Sequence, residues 1–401
     1  SCEIEMFKEE QIRVIKGLIN HLDNGTNVDA GGQVRNPVSS YTDETIAADE
    51  WQEFFLGHGQ LLGLSGDLPE PGSFLTNNDL GKPILCTRDQ AGKFHAFLNV
   101  CTHRGTIVES APRGKKKVFS CPFHAWSFSH EGDLVSVPRE EQFGPVDKSC
   151  HGLTALPAEE KYGMLFVHPS PDGTLDVDDL LGELAPELAN WNLEQFIAQG
   201  DTTYTHAMNW KLAIDTFGET YHFNTLHKNS LAESFYGNCQ MYDTYQRNHR
   251  MALCMRNIDT LRDQPESEWN VLQAALPVYY LFPNIQLILS GAGPTLVRVY
   301  PNKTDPNNSL SQINFYLHPM IKDMEKNAEN QEMFEQIENR MQGFADVIDK
   351  EDYAAAALGH KGAHSGAIEY FTFGRNEPAL HHYHNTYRDA LGLPPLERIS
   401  N

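Results

Sequence analysis

Two short segments of the chain each present a cysteine and a histidine. The first reads C-T-H-R-G and begins at Cys101, and the second reads C-P-F-H-A-W and begins at Cys121. The histidines are His103 in the first segment and His124 in the second. Thiolates and imidazoles are the side chains that bind zinc and iron–sulfur clusters in proteins. Two loops that supply two such ligands each therefore predict a metal centre held between them.

Two kinds of centre take two cysteines and two histidines. A structural zinc ion binds all four in a tetrahedron. A Rieske [2Fe–2S] cluster instead binds one iron through the two thiolates and the other through the two neutral imidazoles. Gly105 after the first pair and Pro122 inside the second favour the cluster, because each loop must turn with its backbone N–H groups pointing at sulfur. The sequence therefore predicts a chain that moves electrons.

The complete pattern C-x-H-R-G…C-P-x-H-x-W resembles the oxygenase component of Rieske non-haem iron oxygenases, the family that contains the large subunits of ring-hydroxylating dioxygenases. Respiratory Rieske proteins are similar but carry an extra disulfide between the cluster loops, and the matching positions here are Thr106 and Phe123. Arg104 stands where the respiratory type has an apolar residue. The resemblance therefore implies the oxygenase class, with its lower-potential cluster.

The composition of the 401 residues narrows the choice of partners and compartment. A formal net charge of −23 argues against nucleic acid and anionic membranes as partners. No run approaches the roughly eighteen apolar residues of a membrane span, and the N-terminus lacks the features of a signal peptide, so we expect a cytoplasmic protein. The cysteines outside the predicted cluster show no spacing that suggests disulfides, and we expect them to be reduced. They are Cys2, Cys86, Cys150, Cys239 and Cys254.

The pattern of residues divides the chain into three parts. Residues 1–40 open with an amphipathic helix over about residues 3–22 and are predicted to pack on the last domain. Residues 41–165 contain short β-branched and aromatic runs broken by Gly, Pro, Asp and Asn, which indicate a small antiparallel β domain around the cluster. Residues 166–401 combine long helices with a group of strands. We therefore predict an α+β protein, and the resemblance implies a helix-grip fold around a deep pocket for the last domain.

A second candidate site lies in the segment N-W-K-L-A-I-D-T-F-G-E-T-Y-H-F-N-T-L-H. Asp215, Glu219 and His222 are spaced four and then three residues apart, which predicts one face of a helix. His227 lies about 140° further round an ideal helix than His222, so a shared metal requires the helix to end or kink within residues 223–226. On spacing alone, a solvated polar face is the alternative.

The same segment resembles the family motif N-W-K-x(8)-[DE]-x-Y-H-x(4)-H, in which both histidines bind a mononuclear iron. Carried over to this chain, the iron ligands are His222 and His227. A 2-His-1-carboxylate site needs an acidic third ligand. The family takes it from an acidic pair that opens a helix, and the register of D-V-I-D-K-E-D-Y selects Asp352, with Asp349 as the alternative. Helix capping at the surface is the alternative role for either carboxylate.

The resemblance also implies roles for two acidic residues before the first iron histidine. In the family, an acidic residue three positions before that histidine bridges to a cluster histidine of the neighbouring subunit, so Glu219 would link His124 to His222. Most ring hydroxylases have Asp there, and the family's quaternary-ammonium oxygenases have Glu. Asp215 would face the pocket as well, or would be the partner of a ligating histidine.

The resemblance implies a terminal oxygenase that uses O₂ and electrons from a separate reductase or ferredoxin to hydroxylate a small organic molecule. A donor protein is expected because the chain shows no P-loop, flavin or nicotinamide signature. The one glycine-rich stretch, residues 291–294, lacks the third glycine of a dinucleotide loop and is predicted to be a hairpin turn. The family resemblance further implies a homotrimer, with or without a small beta subunit.

Three functions remain open at this stage. The first is mono- or dioxygenation of a ring or another hydrophobic compound. The second is attack on a quaternary ammonium or N-methyl substrate, for which Tyr279, Tyr280 and Phe282 would contribute to an aromatic cage through cation–π contacts. The third is a Rieske electron carrier that has no catalytic iron.

Overall fold

The computed structural model describes residues 6–399, which form two compact units. The small unit comprises Gln52–Leu180 and Leu193–Ile197, and the large unit comprises the described residues of Ser1–Trp51, Leu181–Asn192 and Ala198–Asn401. Antiparallel sheets and helices occur as separate groups, which confirms the predicted α+β class. The predicted limits of the domains at residues 40 and 165 differ from the edges of these units and stay a prediction.

The small unit consists of three small antiparallel sheets. In spatial order, the five-stranded sheet contains Ala155–Leu156, Phe94–Leu98, Ile84–Arg88, Ser73–Asn77 and Arg113–Lys115. One three-stranded sheet contains Ala158–Lys161, Met164–Val167 and Gln60–Leu64, and the other contains Phe119–Ser120, Ser127–Phe128 and Leu134–Ser136. Its helical segments are Trp51–Leu56, Ser65–Asp67, Glu140–Phe143, Lys148–Cys150, Val177–Leu181 and Leu193–Gln195. Aromatic and β-branched side chains from these strands form its core, including Phe74, Phe97, Phe119 and Phe128.

A seven-stranded sheet forms the centre of the large unit. In spatial order it contains Ile197–His206, Asp305–Leu317, Gly293–Asn302, Ile285–Ser290, Ala275–Leu281, Asn248–Met255 and Phe235–Tyr245. The inner strands Ala275–Leu281 and Ile285–Ser290 are buried along almost their whole length, which explains their mostly apolar sequence. A separate three-stranded sheet contains Tyr370–Phe373, Val34–Pro37 and Glu397–Arg398.

Helices of very different length surround this sheet. The α-helices are Lys8–Asn24, Ser39–Thr42, Glu44–Glu50, Ala185–Asn190, Trp210–Asp215, Phe223–Leu226, Val271–Ala274, Pro319–Met324, Gln331–Val347, Ala354–Ala363 and Pro378–Ala390. A π-helical turn, Ile348–Tyr353, continues the longest of the late helices. The remaining turns, all 3₁₀, are Gly182–Leu184, Leu231–Glu233, Arg256–Leu261, Glu266–Glu268 and Ala328–Asn330. None of the described helices is both long enough and apolar enough to cross a bilayer.

Two local sequence predictions can be compared directly with the fold. The opening helix spans Lys8–Asn24 and lies against the strand Phe235–Tyr245, where Arg13 forms a 2.7 Å ion pair with Asp243. Residues 3–5 of the predicted helix and the predicted thiol of Cys2 lie outside the described residues. The other cysteines are unbridged, as predicted.

The glycine-rich stretch is a hairpin turn, as predicted. It joins the strands Ile285–Ser290 and Gly293–Asn302. Gly293 has φ +147°, and a Cβ there would lie 2.1 Å from the carbonyl oxygen of Tyr316. The glycine is therefore required by close backbone approach rather than by a nucleotide.

Candidate metal centres

The two cysteine–histidine segments of the small unit form loops with the same hydrogen-bond pattern. The N–H of Cys101 donates to the carbonyl of Thr106, and the N–H of Gly105 donates back to Cys101. In the second loop, the N–H of Cys121 donates to the carbonyl of Trp126, and the N–H of Ala125 donates to the carbonyl of Cys121. Gly105 and Ala125 occupy equivalent positions, both in the left-handed region with φ +80° and +60°. The second loop holds this conformation without a glycine, a local strain that is common at functional sites.

The loops place their cysteines inward and their histidines outward. Cys101 and Cys121 are buried, whereas His103 is half-buried and His124 is exposed. The two imidazole rings lie 4.8 Å apart between centroids. Trp126 stacks on His103 with a centroid distance of 4.8 Å. The structure thus brings the four predicted cluster ligands together.

The electrostatics of these four residues fit a bound cationic iron pair. Burial raises the pKa of the Cys101 thiol, and Cys121 raises it further, while the backbone N–H groups of His103 and Arg104 point at the sulfur and lower it. Two adjacent buried thiols are weak acids on their own, and a bound metal stabilises their thiolate forms. Desolvation, His103 and Arg104 all lower the pKa of His124, so its ring is neutral, which is the form that binds a metal.

The second candidate site departs from the single helix predicted through Asp215 and His222. That prediction is wrong, because the helix Trp210–Asp215 ends at Asp215. The hydroxyl of Thr216 donates to the carbonyl of Ala213 at 2.7 Å, and such local bonds compete with a continuing helix. The helical segment before His227 does end within residues 223–226, as predicted, because the single turn Phe223–Leu226 ends at Leu226.

This short helix places the two predicted iron histidines at its two ends. His222 precedes it and His227 follows it. Their Nε2 atoms lie 3.0 Å apart, and Oδ1 of Asp352 lies 3.1 Å from the first and 3.0 Å from the second. Candidate ligand atoms of the three residues all lie within 4.8 Å of one another. The structure therefore gathers the predicted 2-His-1-carboxylate set at one point.

A π-helical turn positions the carboxylate of this set. Asp352 and Glu351 are adjacent in the turn Ile348–Tyr353, yet both reach His227. Such turns are rare and occur mostly at functional sites. Asp349, the alternative ligand, accepts a 2.7 Å hydrogen bond from His206 instead. The geometry therefore favours Asp352 over Asp349.

The protonation pattern of the three residues fits a metal cation. Nδ1 of His222 lies 2.5 Å from Glu219, and Nδ1 of His227 lies 3.1 Å from Glu351. These carboxylates favour a proton on each Nδ1, which leaves two Nε2 lone pairs and a carboxylate oxygen facing one another. Desolvation lowers the pKa of His222, but hydrogen bonds to Asp352 and Glu219 outweigh it and raise that pKa to about 10. The site therefore stabilises a positive charge, and this set of ligands is typical of sites that bind Fe(II).

The structure places Asp215 outside this site. Its carboxylate accepts a 2.5 Å hydrogen bond from the hydroxyl of Tyr41 and a 2.8 Å hydrogen bond from Nε2 of His384. Neither partner is a predicted ligand. Because the helix ends at Asp215, the side chain is not carried on the face that bears His222. The expectation that Asp215 faces the pocket is therefore corrected to a buried hydrogen-bond network.

Two adjoining cavities lead to the three candidate iron ligands. The inner cavity, about 40 Å³, is lined by Glu219, His222, His227 and Asp352 together with apolar side chains. Two pairs of cross-strand neighbours in the sheet also line it, namely Leu253 with Leu276 and Val278 with Ile288. The outer cavity, about 420 Å³, shares Phe235, Leu276, Ile288 and Phe344 with the inner one. This outer volume is in the range of small-molecule sites.

The predicted aromatic cage does not line either cavity. Tyr279 donates to Glu187 at 2.6 Å and accepts from the indole of Trp191. Tyr280 packs edge-on against Tyr383 with ring centroids 4.6 Å apart. Phe282 lies under Arg247. These aromatic residues are therefore part of the buried packing around the sheet.

Glu351 was not singled out from the sequence as a partner of His227. It also accepts a 2.8 Å hydrogen bond from Ser230, which fixes its orientation. The acidic run D-K-E-D was a visible signal, but helical periodicity separates adjacent side chains by about 100°. In the structure the two neighbouring carboxylates lie in a π-helical turn, and both contact the same histidine.

Comparisons with known proteins agree with both centres. The family model for the ring hydroxylating alpha subunit (catalytic domain) matches residues 193–393, and the model for the Rieske [2Fe-2S] domain matches residues 58–157. The oxygenase subunit of glycine betaine monooxygenase from Chromohalobacter salexigens is 32% identical over 202 residues, which cover 49% of this chain and 44% of that protein. Biphenyl 2,3-dioxygenase subunit alpha from Rhodococcus jostii is 31% identical over 196 residues, with 46% and 41% covered. The alignments thus span less than half the length of these curated relatives.

A solved structure gives the same fold over most of the chain. It is that of a quaternary ammonium Rieske monooxygenase, reported in connection with carnitine oxidation by gut microbiota and inter-subunit electron transfer. The TM-score is 0.72 at 21% identity, with 90% of this chain and 94% of that chain covered. At this identity the likeness supports the fold alone.

Proposed function

The chain belongs to the Rieske non-haem iron oxygenases of the ring-hydroxylating alpha-subunit family, and on that premise we propose that it is their terminal oxygenase component. The observation that carries the proposal is the convergence of His222, His227 and Asp352 within 4.8 Å in a chain that also has a Rieske domain. A Rieske electron carrier needs no such second ligand set. The alternative of a non-catalytic carrier is therefore disfavoured.

Each centre has a distinct chemistry when loaded. Cys101, Cys121, His103 and His124 would hold a [2Fe–2S] cluster, which supplies one-electron transfer. His222, His227 and Asp352 would hold Fe(II), which supplies O₂ activation and leaves positions open for O₂ and substrate.

The protein's own residues prepare the iron site for that chemistry. Glu219 and Glu351 hold the two imidazoles with Nε2 directed inward. The apolar walls of the inner cavity, such as Phe223, Val278 and Ile348, exclude water from the reacting atoms. Its small volume, about 40 Å³, has room for O₂ or a water beside the ligands but not for a substrate's whole body.

The electrons are proposed to come from a separate reductase or ferredoxin and to cross between subunits of a homotrimer. Two exposed regions support a contact between chains. Tyr221, beside His222, is 59% exposed, and Phe123, beside His124, is 57% exposed. Large exposed aromatic side chains are typical of interface cores. Glu219 would then complete the bridge from a cluster histidine of the partner chain to His222.

The cavity supports a hydrophobic organic substrate. Phe217, Phe223, Phe235 and Phe344 are among the side chains that line the inner cavity. A quaternary ammonium or N-methyl substrate is the second candidate, favoured by Glu219 in the motif and by the relatives that act on glycine betaine or on carnitine. Tyr279, Tyr280 and Phe282 line neither cavity, so they do not support a quaternary ammonium substrate.

Metal content and oxygen incorporation test the function together. Protein purified anaerobically should hold about three irons and two acid-labile sulfides per chain. With a reductase, ¹⁸O₂ should label products from a panel of hydrocarbons, aromatic acids, long-chain acids, steroids and methylated amines. About two irons with no labelled product would support the electron carrier instead. Zinc at Cys101 and Cys121 would contradict both functions.

A further inference from the structure

One helical face runs from the protein surface to the candidate iron site. Arg340, Phe344, Ile348 and Asp352 follow one another at four-residue spacing, which stacks side chains along one side of a helix. Arg340 is exposed and Phe344 half-buried, whereas Ile348 and Asp352 are 2% and 7% exposed. At 1.5 Å per residue the α-helical part of this face, from Arg340 to Ile348, covers roughly 12 Å before the π-helical turn that carries Asp352.

The two cavities lie along this face in the same order. Arg340 and Phe344 line the outer cavity, and Phe344, Ile348 and Asp352 line the inner one. Because the inner cavity measures only about 40 Å³, the body of a substrate must occupy the 420 Å³ outside it. Its reacting carbon would meet the open iron positions at the shared wall near Phe344.

Most of the side chains that line the outer cavity are apolar. Its polar side chains are the hydroxyls of Ser234, Ser290 and Thr295 and the guanidinium of Arg340. None of the described residues that line it is acidic, and no described carboxylate forms an ion pair with Arg340. This is notable in a chain with 54 acidic and 31 basic residues. A cationic substrate would meet an unpaired positive charge here, whereas an anion would gain a charge-assisted hydrogen bond.

We propose that the substrate is an amphiphilic carboxylate whose anionic group binds Arg340 and whose apolar body fills the outer cavity. The carbon to be oxidised then lies on the apolar body, at the wall formed by Phe235 and Phe344. A betaine has no apolar body to fill this cavity. The inference rests on the proposed oxygenase function and names the substrate class for the same site.

Three probes that share one alkyl chain but differ in the charge of the head group separate the contribution of charge to binding from that of the apolar body. Decanoate, decan-1-ol and decyltrimethylammonium are titrated by calorimetry into anaerobic holoenzyme. Decanoate should bind most tightly. Arg340→Gln should weaken decanoate binding about tenfold and leave decan-1-ol unchanged, because only the carboxylate loses a charged partner. Arg340→Lys should retain most of the affinity for decanoate.

Lys361→Gln is the matched control, since it removes one positive charge from an exposed helical position that lines neither cavity. It should not change any of the three affinities. All variants are checked for iron and sulfide content, which Arg340 substitutions should not alter.

Several outcomes would overturn the proposal. Equal loss of decanoate and decan-1-ol binding in Arg340→Gln would mean that the side chain acts by packing alone. Binding of decyltrimethylammonium as tight as that of decanoate, or binding of none of the probes, would also contradict it. Oxygen incorporation into betaines or alkylammonium compounds but not into decanoate would refute the substrate class and leave the oxygenase function intact. A fully iron-loaded protein that oxygenates no compound at all would count against the oxygenase function itself.

Discussion

Glu219 accepts two hydrogen bonds from His222, one from the ring Nδ1–H at 2.5 Å and one from the backbone N–H at 3.0 Å. Glu351 makes the corresponding ring contact to His227 at 3.1 Å. Both carboxylates thus turn an imidazole so that its Nε2 faces Asp352. The two sites differ in exposure, because the side chain of His227 is 1% exposed and that of His222 is 20% exposed. The imidazole that Glu219 orients is therefore the more accessible of the two.

This difference predicts separable effects of two isosteric substitutions. Glu351→Gln should weaken Fe(II) binding, by roughly tenfold or more, as expected for a residue that orients a ligand. Glu219→Gln should also weaken Fe(II) binding, and in iron-loaded protein it should in addition abolish rapid electron delivery, because an amide keeps the reach but not the charge. Single-turnover reoxidation of the reduced cluster, with substrate and O₂ present, measures this. A Glu219→Gln protein that reoxidises as fast as the parent would rule out the bridging role.

The choice of carboxylate ligand gives a second prediction. Asp352→Asn should lose the mononuclear iron and keep the cluster, since Oδ1 of Asp352 lies within 3.1 Å of both Nε2 atoms. Asp349→Asn is the control on the same π-helical turn, and it should keep iron because Asp349 pairs with His206. Iron and sulfide assays on the two variants show which carboxylate is required for binding of the mononuclear iron. Loss of iron from Asp349→Asn alone would reverse the assignment.

Metal binding at the large-unit site should depend on pH. Desolvation lowers the pKa of His222, yet Asp352 and Glu219 raise it to about 10, so the metal-free ring is protonated below that pH. A bound metal needs the neutral ring and therefore releases the proton. Affinity for Co²⁺, used as a probe, should rise about tenfold per pH unit for one released proton, between about pH 6 and about pH 8. Titrations of cluster-loaded, iron-depleted protein measure this slope, and a flat profile would show that His222 is already neutral.

Much of both centres could be predicted from the sequence because the ligands lie in short local motifs. The pattern around Cys101 and Cys121 specifies two tight loops, and the structure contains two loops with identical hydrogen bonds. The motif around His222 also selected two histidines that the structure brings together with Asp352. Its secondary structure was mispredicted, since the periodicity of Asp215, Glu219 and His222 cannot show that the helix stops at Asp215. The spacing of these residues also does not predict the hydrogen bond from the hydroxyl of Thr216 that competes with a longer helix.

Long-range features were less accessible to sequence reasoning. Tyr279, Tyr280 and Phe282 were proposed as contributors to an aromatic cage, but they are buried and line neither candidate cavity. The pairing of Asp215 with His384 joins residues 169 positions apart. Arg340, Phe344, Ile348 and Asp352 follow a four-residue spacing that is visible in the sequence. The sequence does not show that these side chains line a cavity, because the other walls come from distant segments of the chain.

The network around Asp215 predicts a loss of stability rather than a loss of metal. Asp215→Ala removes the acceptor that the buried hydroxyl of Tyr41 shares with the ring N–H of His384. The two groups lie 3.1 Å apart and cannot both donate to each other, so one buried donor is left unsatisfied. An unsatisfied buried donor costs about 1–3 kcal/mol, and the free energy of unfolding should fall by about that amount. Asp389→Ala, at a side chain that is 79% exposed, should change it by less than about 0.5 kcal/mol. Urea unfolding measures both, and unchanged stability with lost turnover would restore a catalytic role for Asp215.

Assembly gives the last prediction, which tests whether electrons cross between chains. Cys101→Ala should lose the cluster and His227→Ala should lose the catalytic iron, so each protein alone should be inactive. In a head-to-tail ring of three, each chain donates in one rotational direction, and random co-assembly in equal amounts makes about three quarters of the rings mixed. Every mixed ring contains one boundary where an intact cluster faces an intact iron. One working site in three on these rings gives roughly a quarter of the parent activity. Transfer within a chain predicts no activity, so inactive mixed trimers, verified by two different affinity tags, would refute the route between chains.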